Sequence, residues 1–163
     1  SLLGDGSQFE ISIKYAIQEK PAGLAQAPLI AEDFLSGQSF CLILGDNFLY
    51  GPGLGRNLRN LDKENGATIF AYSVPNPSDF GVVTIDGTGK PVSIVEKPLN
   101  SESKLAIPGL YFFDSNAVDM CKSITPSPRG ELEITDLLEH YKNTANAMHV
   151  TIDSKIGSTR GPF

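Results

Sequence analysis

Asp46 closes an apolar run, Leu42-Ile43-Leu44-Gly45, and is followed by Asn47. A short Leu/Ile run bounded by a turn reads as a strand buried on both faces. In open α/β sheets ligands sit just beyond the carboxyl ends of such strands. A carboxylate placed there can hold a divalent cation against a phosphate. Asp46 is therefore the first candidate metal ligand, and a nucleotide or sugar phosphate the first candidate substrate class.

Three further segments carry chemistry-capable residues. Gln18 offers an amide donor and acceptor side by side, which suits a pyrimidine edge, and Gly23 lets the backbone approach a base. Glu96-Lys97-Pro98 pairs an acceptor for sugar hydroxyls with an ammonium for a phosphate. Arg129-Gly130-Glu131-Leu132-Glu133 opens a helix with a guanidinium and acidic residues. Each segment also has an ordinary reading: a turn after a strand, a Pro-Gly loop, a solvated strand end, a helix start. His140 and His149 have no partner pattern around them, and no Ser/His/Asp, Cys/His or zinc-ligand spacing occurs. Phosphoryl or nucleotidyl transfer needs no protein nucleophile, so that absence is compatible with it.

The elements that must position these residues follow from periodicity. Phe9, Ile11, Ile13, Tyr15 and Ile17 alternate with polar residues and predict a strand. Gly23 opens a helical pattern with Leu24, Ala27, Ala31, Phe34 and Leu35 on one face, although Pro28 crowds its start. Cys41 to Leu44 is the buried strand, Leu54, Leu58 and Leu61 mark a helix, and Ala67 to Val74 is another strand. Val82 to Ile85 and Val92 to Val95, joined by Asp86-Gly87-Thr88-Gly89, predict a β-hairpin. Gly109 to Phe113 predicts a strand. Helices follow through Ala117, Val118, Cys121 and Ile124, capped by Asp114 or Ser115, and through Ile134, Leu137, Leu138 and Tyr141. Val150 to Ile152 ends the pattern. This alternation implies an α/β, doubly wound, mostly parallel sheet with an inserted hairpin.

Composition bounds the function. At 163 residues with 40% apolar content the chain can build a core, and a net charge of −6 argues against a general nucleic-acid binder. Any polyanionic substrate must be met by local positive charge or a metal. Cys41 and Cys121, the only cysteines, read as small core residues in a reducing, cytoplasmic setting. No apolar run approaches membrane-spanning length.

The order of the motifs resembles one family. Gln18 with Gly23-Leu24-Ala25-Gln26-Ala27, Leu44-Gly45-Asp46-Asn47, Phe80-Gly81-Val82-Val83, Glu96-Lys97-Pro98, Gly109-Leu110-Tyr111-Phe112 and Arg129-Gly130-Glu131-Leu132-Glu133-Ile134-Thr135 are similar to the glucose-1-phosphate thymidylyltransferases, sugar nucleotidyltransferases with a Rossmann-like fold. The resemblance implies transfer from dTTP to glucose 1-phosphate, giving dTDP-glucose and pyrophosphate. It implies Mg²⁺ as cofactor, held by Asp46 near the α-phosphate, and a homotetramer as the assembly. Gln18, Gly23 and Leu24 would bind the nucleotide. Lys97 would be catalytic, together with Asp46, and would meet the sugar phosphate. Phe80, at the position of a common Tyr, Gly81, Glu96, Ile107, Tyr111, Arg129 and Glu131 would bind the sugar phosphate.

Residues 1–151 match the central part of the family's domain, and residues 152–163 read as a non-matching tail. The family's opening Gly-Gly-x-Gly-Thr-Arg loop and its Trp-Leu-Asp-Thr-Gly stretch have no counterpart here. The expectation is an internal fragment, inactive and poorly stable by itself. UTP or another hexose phosphate remains open as substrate, because thymine differs from uracil by one methyl group. A catalytically silent, sugar-nucleotide-binding subunit is the alternative of another class.

Overall fold

The computed structural model describes residues 2–59, 61, 65–144, 148–152 and 157–160. In chain order the elements are α1 (Gln26–Ile30), α2 (Glu32–Leu35), β1 (Phe40–Ile43), β2 (Asn47–Tyr50), α3 (Leu54–Arg59), β3 (Ala67–Ser73), β4 (Gly81–Ile85), β5 (Pro91–Glu96), β6 (Leu105–Ile107), β7 (Leu110–Phe113), α4 (Ala117–Ser123), α5 (Ile134–Asn143), β8 (Met148–Ile152) and β9 (Gly157–Arg160).

β3 is the spine. Ala67 to Tyr72 are all buried, as a strand covered on both faces requires. On one side of the sheet Ile69 and Ala71 join Leu137, Leu138 and Tyr141 of α5 and Ala117 and Cys121 of α4 in the main core. On the other, Phe70 and Leu110 pack with Leu54 and Leu58 of α3. Helices thus cover both faces, as the alternating pattern predicts.

The expectation of a mostly parallel sheet is corrected. The sheet runs β1-β7-β3-β6-β4-β5, with every one of those pairs antiparallel, and only β8 joins β3 in parallel. The reason lies in β6 and β7, two consecutive strands interrupted at Pro108-Gly109. Both run antiparallel to β3, and they carry different neighbours on their outer edge: β1 on β7, β4 on β6. The hairpin β4–β5 forms as expected, closed by Asp86 N–H to Lys90 C=O at 2.9 Å.

Three other expectations are corrected. The alternating stretch from Phe9 to Ile17 forms no strand. A 3₁₀ turn over Ser7–Phe9 occupies its start, and Phe9, Ile11, Tyr15 and Ile17 stay exposed. Alternation makes a strand only where a sheet edge receives it. The helix from Gly23 to Leu35 is two short helices meeting at Ala31, with Pro28 buried in the first turn of α1, where its missing N–H costs little. β1 is an edge strand among the described residues, not one buried on both faces; Cys41 and Ile43 face outward, so Cys41 is exposed while Cys121 is buried as expected. β2, which pairs with β9, has no signal in the periodicity. Among the described residues no helix is long and apolar enough to cross a membrane.

Candidate active site

The sheet forks at Pro108-Gly109, and the chemistry-capable residues collect at the fork. On one arm the chain leaves β1 through Leu44-Gly45-Asp46. Leu44 N–H donates to Gly109 C=O at 2.9 Å, and Gly109 N–H donates to Asn47 Oδ1 at 3.1 Å. A Cβ on Gly109 would fall 2.5 Å from the Leu44 side chain, so only glycine allows this approach. Asn47 Nδ2 then donates to Asp46 Oδ1 at 2.7 Å, which ties the carboxylate to the fork.

On the other arm β5 ends at Glu96. Glu96 pairs with Gly81 across the hairpin, and a Cβ on Gly81 would sit 3.5 Å from Glu96 Oε2 and 3.1 Å from Thr135 Cγ2. Lys97 follows in the left-handed region, φ 42°, although it is not glycine and precedes Pro98. Its N–H donates to Phe80 C=O at 3.0 Å, which holds the turn. Backbone strain of this kind collects at functional sites. The Lys97 ammonium lies 4.0 Å from Glu96 Oε1.

The loop before α5 supplies the opposite wall. Ser127 N–H donates to Glu131 C=O, and Gly130 adopts φ 79°, which sets Arg129 at the tip of a tight turn. Arg129 Nε and Nη2 both bond Glu133, Nη2 also bonds Glu131 at 3.2 Å, and Glu96 lies 3.9 Å away. Hydrogen bonding to Glu133 raises the guanidinium pKa above its ordinary value against the opposing effect of burial.

The loop carrying Gln18 to Ala25 rests on this wall. Leu132 N–H donates to Ala22 C=O at 2.7 Å, and Ala25 N–H donates to Leu132 C=O at 3.0 Å. Gly23, at φ 100°, packs directly on the Leu132 backbone. Gln18 Nε2 donates to Gly23 C=O and to Gln26 Oε1.

Together these segments enclose a cleft of about 460 Å³ lined by Gln18, Gly23, Leu24, Asp46, Glu96, Lys97, Arg129 and Glu131, with Glu133 behind them. The remaining candidates lie elsewhere. Gly81 supports Glu96 from beneath, and Phe80 sits edge-on to Tyr72. Ile107 and Tyr111 are core residues, Tyr111 stacked on Phe113, and neither lines the cleft. Glu133, Asn47, Gly109 and Leu132 fall within the quoted motifs, but the sequence assigns none of them a role of its own. The i,i+4 spacing of Arg129 and Glu133 was the one available signal.

The cleft holds four carboxylates (Asp46, Glu96, Glu131, Glu133) and two cations (Lys97, Arg129), a balance of −2. A polyanion needs further positive charge there. Among the described residues no three His, Cys, Asp or Glu side chains gather to cage a metal. Mg²⁺ needs no such cage; it accepts one or two carboxylates, with phosphate and water completing the shell. Asp46, the carboxylate that lines the cleft from this arm of the fork, fits that demand.

The model of the nucleotidyl transferase family matches residues 1–156. This chain belongs to that family. The family member from Mycolicibacterium smegmatis, a glucose-1-phosphate thymidylyltransferase, is 50% identical over 142 residues, covering 87% of this chain and 49% of that protein. The thymidylyltransferase of Xanthomonas campestris pv. campestris is 51% identical over 142 residues, covering 86% and 48%. The chain spans about half the length of the curated relatives it matches. Among solved structures, a Bacillus anthracis protein assigned as a glucose-1-phosphate thymidylyltransferase and crystallised with sucrose aligns with a TM-score of 0.82 at 34% identity, over 97% of this chain and 63% of that one. A UDP-glucose pyrophosphorylase bound to UDP-glucose shares the fold, with a TM-score of 0.69 at 21% identity over 89% of this chain and 59% of that one.

Proposed function

We propose that the cleft serves nucleotidyl transfer from dTTP to α-D-glucose 1-phosphate, giving dTDP-glucose and pyrophosphate. The observation that carries this reading is the meeting of Gln18, Asp46, Glu96, Lys97 and Arg129 around one cleft. In this reading a sugar phosphate oxygen attacks the α-phosphorus in line and the bond to pyrophosphate breaks.

Gln18 and the Gly23 backbone orient the base. Glu96 accepts from sugar hydroxyls. Lys97 and Arg129 receive the sugar phosphate and counter the charge that gathers on phosphate oxygens. Asp46 would hold Mg²⁺, which when bound neutralises charge on the nucleotide phosphates. The net negative lining makes nucleotide binding depend on that cation. A homotetramer in a reducing, cytoplasmic setting belongs to the same proposal, and light scattering checks the assembly.

Calorimetric titration of the chain with glucose 1-phosphate, and with dTTP in the presence and absence of Mg²⁺, tests it. We expect both ligands to bind, dTTP only with the cation, and Lys97→Ala to weaken glucose 1-phosphate. A folded chain that binds neither ligand overturns the reading. Competition of UTP against dTTP decides the base.

A further inference from the structure

Glu133 stands out because it is a charged group only 7% exposed, at the residue preceding α5. A carboxylate so placed is costly unless paired. Its partners are Ser127 Oγ at 2.8 Å, Arg129 Nε at 3.1 Å and Arg129 Nη2 at 2.9 and 3.0 Å. Ser127 Oγ also accepts the Arg129 N–H at 3.2 Å.

The guanidinium thus has one deep anchor and two open contacts. The Glu131 and Glu133 side chains are 40% and 10% exposed, and Glu96 stands off at 3.9 Å. Arg129 Nη1 makes no hydrogen bond among the described residues. An exposed pair such as Arg129–Glu131 is worth little and exchanges readily for a phosphate. Releasing Glu133 would instead strand a buried charge.

We infer that Glu133 is the positioning residue for Arg129: it grips one edge of the guanidinium so that Nη1 and the Glu131-facing edge are presented to the phosphate of the sugar substrate. The inference rests on the reading of the cleft given above. Lys97, a flexible point charge, needs no such holder; a planar fork does.

Glucose 1-phosphate titrations on the chain, with Glu133→Gln, Arg129→Lys and the double variant, test it. Glu133→Gln is expected to weaken binding about tenfold. The double variant is expected to bind no more weakly than Arg129→Lys alone, since both act through one group. The Arg129 Nε–H NMR signal should be protected in the unaltered chain, move on addition of glucose 1-phosphate and lose protection in Glu133→Gln. Should Glu133→Gln fail to fold, Ser127→Ala replaces it in the cycle, with an expected weakening of about threefold. Undiminished binding by the variant, or an equal loss in the Arg129→Lys background, overturns the inference. Failure of the unaltered chain to bind glucose 1-phosphate overturns the reading of the cleft, and this inference with it.

Discussion

The backbone of Leu132 occupies the space that a side chain on Gly23 would need. Gly23 also sits at φ 100°, and the flanking bonds from Leu132 N–H to Ala22 and from Ala25 N–H to Leu132 leave the loop no room to retreat. The base-reading loop and the wall that carries Arg129 are therefore one mechanical unit. Gly23→Ala is expected to lower the melting temperature by several degrees and to weaken dTTP about tenfold. Thermal melts and titrations check it, and a normal dTTP affinity would show that the loop moves independently of the wall.

Asn47 links Asp46 to the fork by donating to Asp46 and accepting from Gly109. Asn47→Ala leaves the Gly109 N–H without its acceptor, at about 1–3 kcal/mol. Asn47→Asp retains an acceptor for Gly109 and sets a second carboxylate beside Asp46, so it is expected to lose less stability and to bind divalent cations more tightly. Asp46→Asn should abolish the dTTP binding that Mg²⁺ supports. Urea unfolding and Mn²⁺ titration followed by NMR broadening separate these outcomes.

Asp114 is the structural carboxylate of the core. Burial opposes its ionisation, yet hydrogen bonds from the Tyr141 hydroxyl, at 2.6 Å, and from the Gly66 and Asn116 N–H groups outweigh burial and hold its pKa below the ordinary 3.8. A depressed folded value means stability that is present above about pH 4 and lost as pH falls through the folded value. Tyr141→Phe is expected to cost about 1–3 kcal/mol at pH 7. The gap to the unaltered chain should narrow as pH falls below about 4, which urea unfolding across an acid pH series measures.

Asp136 has the opposite sign. Burial first, then the charges of Glu133 and Glu139, raise its pKa, with His140 partly offsetting them. Its folded value lies above the unfolded one, so stability is full below the unfolded value and falls as pH rises through the folded value. Asp136→Asn is expected to raise the melting temperature at pH 7 and to leave it unchanged in acid. The gain is small, because the first turn of α5 itself favours a carboxylate.

The helix α5, the hairpin and the strand Ala67–Ser73 were legible because each buries a whole face, and burial writes a period into the residues. The fork was not. Pro108-Gly109 interrupts the strand by one close approach to Leu44, a contact between residues far apart in the chain that no local period records. Residue type alone marks Gln18, Asp46 and Glu96 as candidates, but each sits in an ordinary turn or strand end, and it is the resemblance in motif order that lifts them above that reading. Tyr111 and Phe113 stack two residues apart on one face of β7, in the main core, a placement that strand alternation explains.

β1 makes the last prediction. Among the described residues β1 stands at the end of the sheet order, and Ile43 on it is 60% exposed. A terminal strand with an exposed apolar side chain can template another chain. The chain is therefore expected to self-associate at high concentration. Ile43→Lys places a charge on that edge without touching the cleft lining, and should reduce association while leaving glucose 1-phosphate binding intact. Light scattering across a concentration series reads the first effect and calorimetry the second. Equal association of the two proteins would mean that contact forms elsewhere, with the exposed Phe9, Ile11 and Tyr15 stretch the next surface to alter.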